Sequence, residues 1–358
     1  MIYLDYQATT PLAPEARAAM LPWLAGPEAP GFANPHSPHA PGRAAAAAIA
    51  LAREQVAGLL PSGGQVIFTG SATEALNLAI LGSGQRTIAV SAIEHAAVLD
   101  TARTMAGCAV LPVDGDGLVD ADAALPEGAG LVAVMQVNNE IGTIQPVEVL
   151  AERAHRAGAL FVCDAVQGAG KLAAPANADL VALSAHKLYG PKGIGALWVR
   201  DGVRLAPMIH GGGQELGLRS GTLSPALCAG FGAAAALAAA RMAEDAAHVE
   251  ALWLRAHELL PDWALNGSAD LRWHGNLNIR RDCLDVARLM SDLRDISFSA
   301  GSACASGSGR PSHVLSALRL SPMQVKSSIR IGFGRYTTMR EIEDACARLN
   351  AAAAAQGA

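Results

Sequence analysis

The chain has 358 residues, is 51% hydrophobic and 16% charged, and carries a formal net charge of −5. That is long enough for a large core and for two domains, and too apolar for a disordered chain. No lysine- or arginine-rich run is present, which argues against direct nucleic-acid binding. The first residues lack the basic and apolar stretches of a secretory leader. The alanine-rich runs at 44–52 and 233–240 are bounded by Arg43, Arg53 and Arg241 and are too short for a bilayer. No membrane association is expected. The six cysteines, at 108, 163, 228, 283, 304 and 346, show no CxxC spacing, against a zinc site or a disulfide framework. A reducing cytoplasm is the expected setting.

Residues 1–14 are punctuated by proline and too short for a core of their own. A turn-rich loop at 33–39 precedes a helix expected over 42–60, closed by Pro61-Ser62-Gly63-Gly64. A strand over 65–69 runs into Gly70-Ser71-Ala72-Thr73-Glu74, which opens a helix through residue 81. Strand, small-residue turn and helix N-terminus make an anion site suited to a phosphate, although small residues at such a turn more often serve packing alone. The loop is neither a Walker A nor a GxGxxG sequence, so neither a nucleoside triphosphate nor NAD is the natural ligand.

Further strands are expected at 86–91, 109–113, 131–137 and 159–163, with a helix at 148–157. A buried strand at 180–183 ends in Ser184-Ala185-His186-Lys187 and a stiff glycine–proline turn. Lysine in such a place is either solvated or a partly desolvated amine able to form a Schiff base. The alternation implies a mostly parallel sheet with helices on both faces, whose ligands gather at the carboxyl ends of the strands. Thr73, His95, Asn139, Asp164 and Lys187 all fall at or just past such ends. The alternative for Asp164 is a helix N-cap. His36, His39 and His210 read as loop or packing histidines.

A second glycine-rich loop spans 211–222, and a long alanine-rich helix is expected from about 225 to 260. Beyond Pro261 the pattern turns to short strands and turns. The domains are therefore placed at 15–250, the large sheet, and at 1–14 with 251–358, a smaller α+β unit. Cys304 lies in SAGSACASGSG, a stretch of small residues whose composition predicts a flexible, exposed segment, or a linker with an incidental thiol. Arg330 alternates with apolar neighbours on an expected strand; facing inward, it needs an anion, and a substrate carboxylate suits its planar fork.

Ten stretches in one order, YLDYQATTP, NPHSPHAPGR, TGSATEALNLA, EHAAV, VNNEIGTIQP, CDAVQGAGK, SAHKLYGPKGIGAL, HGGGQELGLRSGT, SAGSACASG and SSIRIGFGR, cover nearly the whole chain. Together they resemble the cysteine desulfurases, a pyridoxal-phosphate family with the class V aminotransferase fold. The resemblance implies that Lys187 carries the cofactor and that Asp164 pairs with its ring nitrogen. His95 would stack on the ring and shuttle a proton, and Asn139 and Gln167 would meet the O3′ side. Ala72, Thr73, Ser184 and His186 would hold the phosphate, joined by Thr222 of a second copy in a homodimer. Arg330 and Asn34 would bind the carboxylate of L-cysteine. Cys304 would take the sulfur as a persulfide, leaving L-alanine, and pass it to an acceptor or scaffold protein for iron–sulfur clusters, thio-cofactors or tRNA. No metal is expected, save a transient iron–sulfur cluster at Cys304. The alternatives on the same fold are a selenocysteine lyase, a class V aminotransferase and a non-catalytic interaction subunit. Two departures from the family pattern stand out: NPHSPH, where two serines commonly follow the proline, and Gln214, where histidine is frequent.

Overall fold

The computed structural model describes residues 1–301 and 311–357. The chain opens with a short strand, β1 (Ile2–Tyr3), followed by helices α1 (Pro14–Met20) and α2 (Ala40–Ala57). The region expected as a helix at 42–60 thus begins two residues earlier, where His39 accepts the Gly42 N–H as its cap.

Seven strands then build the main sheet: β2 (Gly64–Thr69), β3 (Thr87–Ser91), β4 (Gly107–Leu111), β5 (Leu131–Ala133), β6 (Leu160–Asp164), β7 (Leu180–Ser184) and β8 (Gly195–Arg200). Their order is β2-β8-β7-β6-β5-β3-β4. The pairings from β7 through to β4 are parallel, and β8 runs antiparallel to both its neighbours. Helices α3 (Ala72–Gly82), α4 (Ala96–Ala102) and α5 (Val147–Arg156) connect the strands. The sheet is covered on both faces, because one apolar cluster contains Val181, Leu183 and Phe161 and the other Leu180, Ala182 and Val162. Alternating side chains along one strand point to opposite faces, so β6 and β7 contribute to both.

Two expected strands differ. The strand expected at 109–113 begins at Gly107, and the one expected at 131–137 is regular only to Ala133. Past Ala133, Val134 and Gln136 still donate to the carbonyls of Val162 and Asp164 before the chain turns at Asn138.

Helix α6 (Pro225–Leu259) is 35 residues long. By length and composition it could cross a bilayer, but its residues are shared between two protein cores. Phe231, Ala234 and Ala235 pack with the main sheet, while Val249, Leu252, Trp253 and Ala256 join a second cluster. The division near residue 250 therefore falls inside one continuous helix. The second cluster packs against a sheet of β9 (Ala264–Leu265), β10 (Asn276–Arg280), β12 (Ser299–Ala300) and β13 (Ser328–Gly332), with helices α7 (Val286–Asp292) and α10 (Met339–Ala354). The chain start is divided in the same way. β1 pairs with β11 (Ile296–Ser297), whereas Thr10 and Ala13 donate to the carbonyls of His186 and Tyr189. Short helices α8 (His313–Ala317) and α9 (Pro322–Lys326) complete the described chain.

Candidate active site

Because β3, β5, β6 and β7 are parallel, their carboxyl ends share one edge, and a cavity of about 300 Å³ opens there. It is lined by Ala72, Thr73, His95, Asn139, Asp164, Gln167, Ser184, His186, Lys187 and Arg330, together with Gln7, Ala8 and Ser71. Ten sequence-predicted residues thus meet around one space. Asn34 and Thr222 do not line it; both are exposed. The Asn34 side chain is engaged locally, accepting the His36 N–H at 2.9 Å. Cys304 lies outside the described residues.

At one end of the cavity is the N-terminus of α3. Ser71 caps it, accepting the Glu74 N–H at 3.2 Å, and Glu74 reaches back to the Gly70 N–H at 2.7 Å. Arg219 pairs with the Glu74 carboxylate at 2.7 Å, so that negative charge is balanced away from the helix end. β8 crosses so closely that a Cβ at Gly195 would stand 2.5 Å from the Ser71 carbonyl carbon. Glycine is required there for contact, not for its dihedral freedom.

Lys187 follows β7 and lines the same cavity. Its amine donates to the backbone carbonyls of Gln7 and Ala8, the latter at 2.8 Å. A turn at residues 6–8 of the N-terminal segment thus holds the amine at the cavity, a contact between residues 179 positions apart. His186 bonds the Thr9 hydroxyl at 3.2 Å. Burial and the neighbouring Lys187 charge lower its pKa to about 4, so it is neutral at physiological pH.

Asp164 ends β6 and is 6% exposed. No helix begins at this residue, and its Oδ1 accepts the Val166 N–H at 2.9 Å. Burial raises its pKa, partly offset by that bond and by the charges of His95 and Lys187. His95 caps α4 through Nδ1, which accepts the Ala97 N–H at 3.1 Å. That bond leaves Nε2 as the ring nitrogen that carries the proton in the neutral tautomer. Leu76, Met135, Val137 and Val166 supply apolar walls. A flat ring bearing a positive charge and an anionic tail suits this set of groups.

Arg330 is 1% exposed. The anion its position demands comes from within the chain: Nη2 lies 2.7 Å from Asp5 Oδ1. Nη1 donates to the Asn139 carbonyl at 2.9 Å, while Nε has no described partner. Ser299 donates to the same Asp5 oxygen at 2.8 Å. Two buried acids stand behind the site. Glu94, 0% exposed, accepts the Met135 N–H at 2.7 Å, and burial holds its carboxyl well above the usual range. Glu140 accepts the Ser312 hydroxyl at 2.5 Å, and burial raises it as well. Sequence reasoning missed Asp5, Gln7, Glu94 and Glu140, and only the stretches YLDYQATTP, EHAAV and VNNEIGTIQP marked their neighbourhoods.

Residues 2–344 match the family described as Aminotransferase class-V. The chain is 39% identical to a cysteine desulfurase IscS of Rickettsia rickettsii (strain Iowa) over 366 residues, covering 96% of this chain and 88% of the relative. It is 40% identical to a cysteine desulfurase IscS of Rickettsia bellii (strain OSU 85-389), covering 98% and 91%. Among solved structures, a NifS-like protein superposes with a TM-score of 0.89 at 30% identity, covering 98% of both chains. A structure described as SspA in complex with cysteine superposes at 0.80 with 32% identity, covering 94% of this chain and all of the other.

Proposed function

Because the chain belongs to the class-V aminotransferase family, we propose that it is a pyridoxal-phosphate-dependent cysteine desulfurase. The observation that carries this reading is one cavity bordered by Lys187, Asp164, His95, Arg330 and the α3 N-terminus. The residues fit pyridoxal phosphate. Asp164 is a buried carboxylate whose charged form is only partly compensated by the Val166 N–H and the charges of His95 and Lys187, and a protonated ring nitrogen would supply the rest. Ala72 and Thr73 open α3 with backbone N–H groups that suit a phosphate, and Ser184 and His186 border the same space. Lys187 would carry the cofactor, with Asn139 and Gln167 toward its ring oxygen. When bound, it supplies an electron-withdrawing ring that lets bonds at the carbon of an attached amino acid break.

The chain's own residues do the rest. Arg330 holds the substrate carboxylate, its buried guanidinium oriented by Asp5 and the Asn139 carbonyl. Lys187, delivered by two backbone carbonyls, moves protons in the cavity. His95, fixed through Nδ1, presents Nε2 as a second proton carrier. The sulfur of L-cysteine passes to the Cys304 thiolate, leaving L-alanine and an enzyme persulfide. The described flanks of residues 302–310 support that assignment. Ser299 bonds Asp5 on one side, and on the other Ser312 bonds Glu140 and His313 bonds the Glu94 carbonyl at 2.9 Å. Both flanks therefore attach beside the cavity.

The persulfide would then pass to an acceptor or scaffold protein. Exposed Thr222 would reach the phosphate site of a second copy in a homodimer. The described cysteines are all free, as in a reducing cytoplasm.

The test is incubation of purified enzyme with ³⁵S-cysteine, followed by peptide mapping. Label on the Cys304 peptide, with L-alanine formed in equal amount, is expected, and Cys304→Ser is expected to bind cofactor yet release no sulfide. Amino-group transfer to a keto acid without sulfur transfer would refute the reading.

A further inference from the structure

Lys171 is a partly buried lysine that the proposed reaction does not use. Gly170, at φ +71°, turns the chain just before it, and a Cβ there would stand 2.7 Å from the Ala238 Cβ. The Lys171 amine lies 6.0 Å from the Trp273 ring and 3.5 Å from Gln167 Oε1. On the other side of the same amide, Gln167 Nε2 donates to the Gln7 carbonyl at 3.0 Å. That carbonyl also accepts from Lys187. One chain of hydrogen bonds therefore runs from Lys171 through Gln167 and Gln7 to Lys187.

The chemistry of the two neighbours decides which way the amide points. A lysine amine has no acceptor while protonated, and a backbone carbonyl has no donor. Gln167 satisfies both only with its oxygen toward Lys171 and its nitrogen toward Gln7 and the cavity, which both glutamines line. An unrestrained glutamine could turn over and present its oxygen to the cavity. Against an oxygen-bearing ring edge, that would replace attraction by repulsion.

We propose that Lys171 is a positioning residue that locks the Gln167 amide with its N–H edge toward the cavity, so that Gln167 meets the cofactor's ring oxygen as a donor. This rests on reading the cavity as the pyridoxal-phosphate site. Burial lowers the Lys171 pKa to about 7, with the Lys187 charge adding to the effect. Lysine is a costly choice for a position that any apolar side chain could fill, unless its N–H is required. Both the ammonium and the neutral amine still donate, so the lock holds on either side of neutral pH.

The experiment uses the full-length protein and 4′-deoxypyridoxine 5′-phosphate. This probe keeps the ring oxygen and phosphate but lacks the aldehyde, so it binds without linking to Lys187. Affinity is read from tryptophan fluorescence. Lys171→Met is expected to weaken binding about tenfold, the worth of one oriented hydrogen bond to a charged group. Lys171→Arg, which restores a donor, is expected to recover it. Gln167→Leu should cost a similar factor, and adding Lys171→Met to it should cost no more. A 3-deoxy form of the probe, without the ring oxygen, should bind wild type and Lys171→Met alike. If circular dichroism shows Lys171→Met unfolded, Lys171→Gln serves: its polar head suits the site, but its shorter reach leaves Oε1 without a donor, and the same loss is expected. Binding by the folded neutral variant within about twofold of wild type, or a loss that adds to that of Gln167→Leu, overturns the proposal. Wild type that does not bind the probe overturns the cofactor reading together with this one.

Discussion

Replacing Asp5 by asparagine separates what Arg330 does for the fold from what it does for substrate. The guanidinium is 1% exposed and makes its ion pair with Asp5, whose side chain is 20% exposed. Two unit charges about 4 Å apart attract by about 4 kcal/mol at an effective dielectric near 20, and desolvation offsets much of that. Removing one partner of a buried pair costs about 3–5 kcal/mol. Asp5 is partly solvated and asparagine keeps an acceptor, so about 2 kcal/mol is expected here. In a chain of this size that lowers Tm by about 3 °C. Binding should move the other way. A guanidinium stripped of its counter-charge attracts an incoming carboxylate more strongly, and a gain of about 1.4 kcal/mol lowers KM about tenfold. The assays are thermal melts of the holoenzyme with and without saturating L-alanine, and KM for L-cysteine by sulfide release. Ligand should restore most of the lost Tm, because at about a hundred times Kd it adds about 2.7 kcal/mol. An unchanged Tm together with a raised KM would refute the reasoning.

Glu94→Gln should gain stability relative to wild type as pH rises from about 5 to 8. Burial holds the folded carboxyl protonated well above its usual 4.5, so wild type binds a proton that the unfolded chain has released, and loses stability through that range. Melts at the two pH values check this, and a constant difference between the proteins would count against it. Glu215→Gln should cost about 3 kcal/mol, read as a lower denaturant midpoint at constant slope. The Glu215 carboxylate, 3% exposed, takes both Arg53 nitrogens, at 2.6 and 2.7 Å, and the Phe68 N–H at 2.6 Å. It also anchors a turn in which Glu215 and Leu216 adopt φ of 49° and 59°.

What the sequence revealed of the fold was what local forces decide. The helix start at Ser71 was legible because a strand runs straight into a turn of small residues there, and Ser71 caps the helix through the Glu74 N–H. The β7 strand was legible because a run buried on both faces has no alternation to misread. The edge strand β4 was placed two residues late. Its exposure alternates and Val110 is 54% exposed, so its apolar run does not coincide with its hydrogen-bonded run. The 131–137 strand was drawn too long for a related reason. Residues 134–137 are fully buried and still bonded to β6, but they leave regular strand geometry to aim Asn138 and Asn139.

The cavity itself was legible for a topological reason. Parallel strands end on one edge whatever their side chains, so residues at strand ends must meet there. The partners of those residues were not legible. Asp5 and Arg330 are 325 positions apart, Gln7 and Lys187 180, and Glu140 and Ser312 172. Such pairs exist only once the two cores are assembled on α6, and neither member carries a local signal of the other. Arg330 is the clearest case. Its alternation with apolar residues told correctly that it faces inward and needs an anion. It did not tell which anion, because charge balance is a property of the assembled interior. The chain provides its own in Asp5, so on the proposed reading a substrate carboxylate would bind to a guanidinium already paired. On that reading Arg330 is a poised site, not an empty one, and the strength of its hold on substrate would be set by a residue at the far end of the sequence.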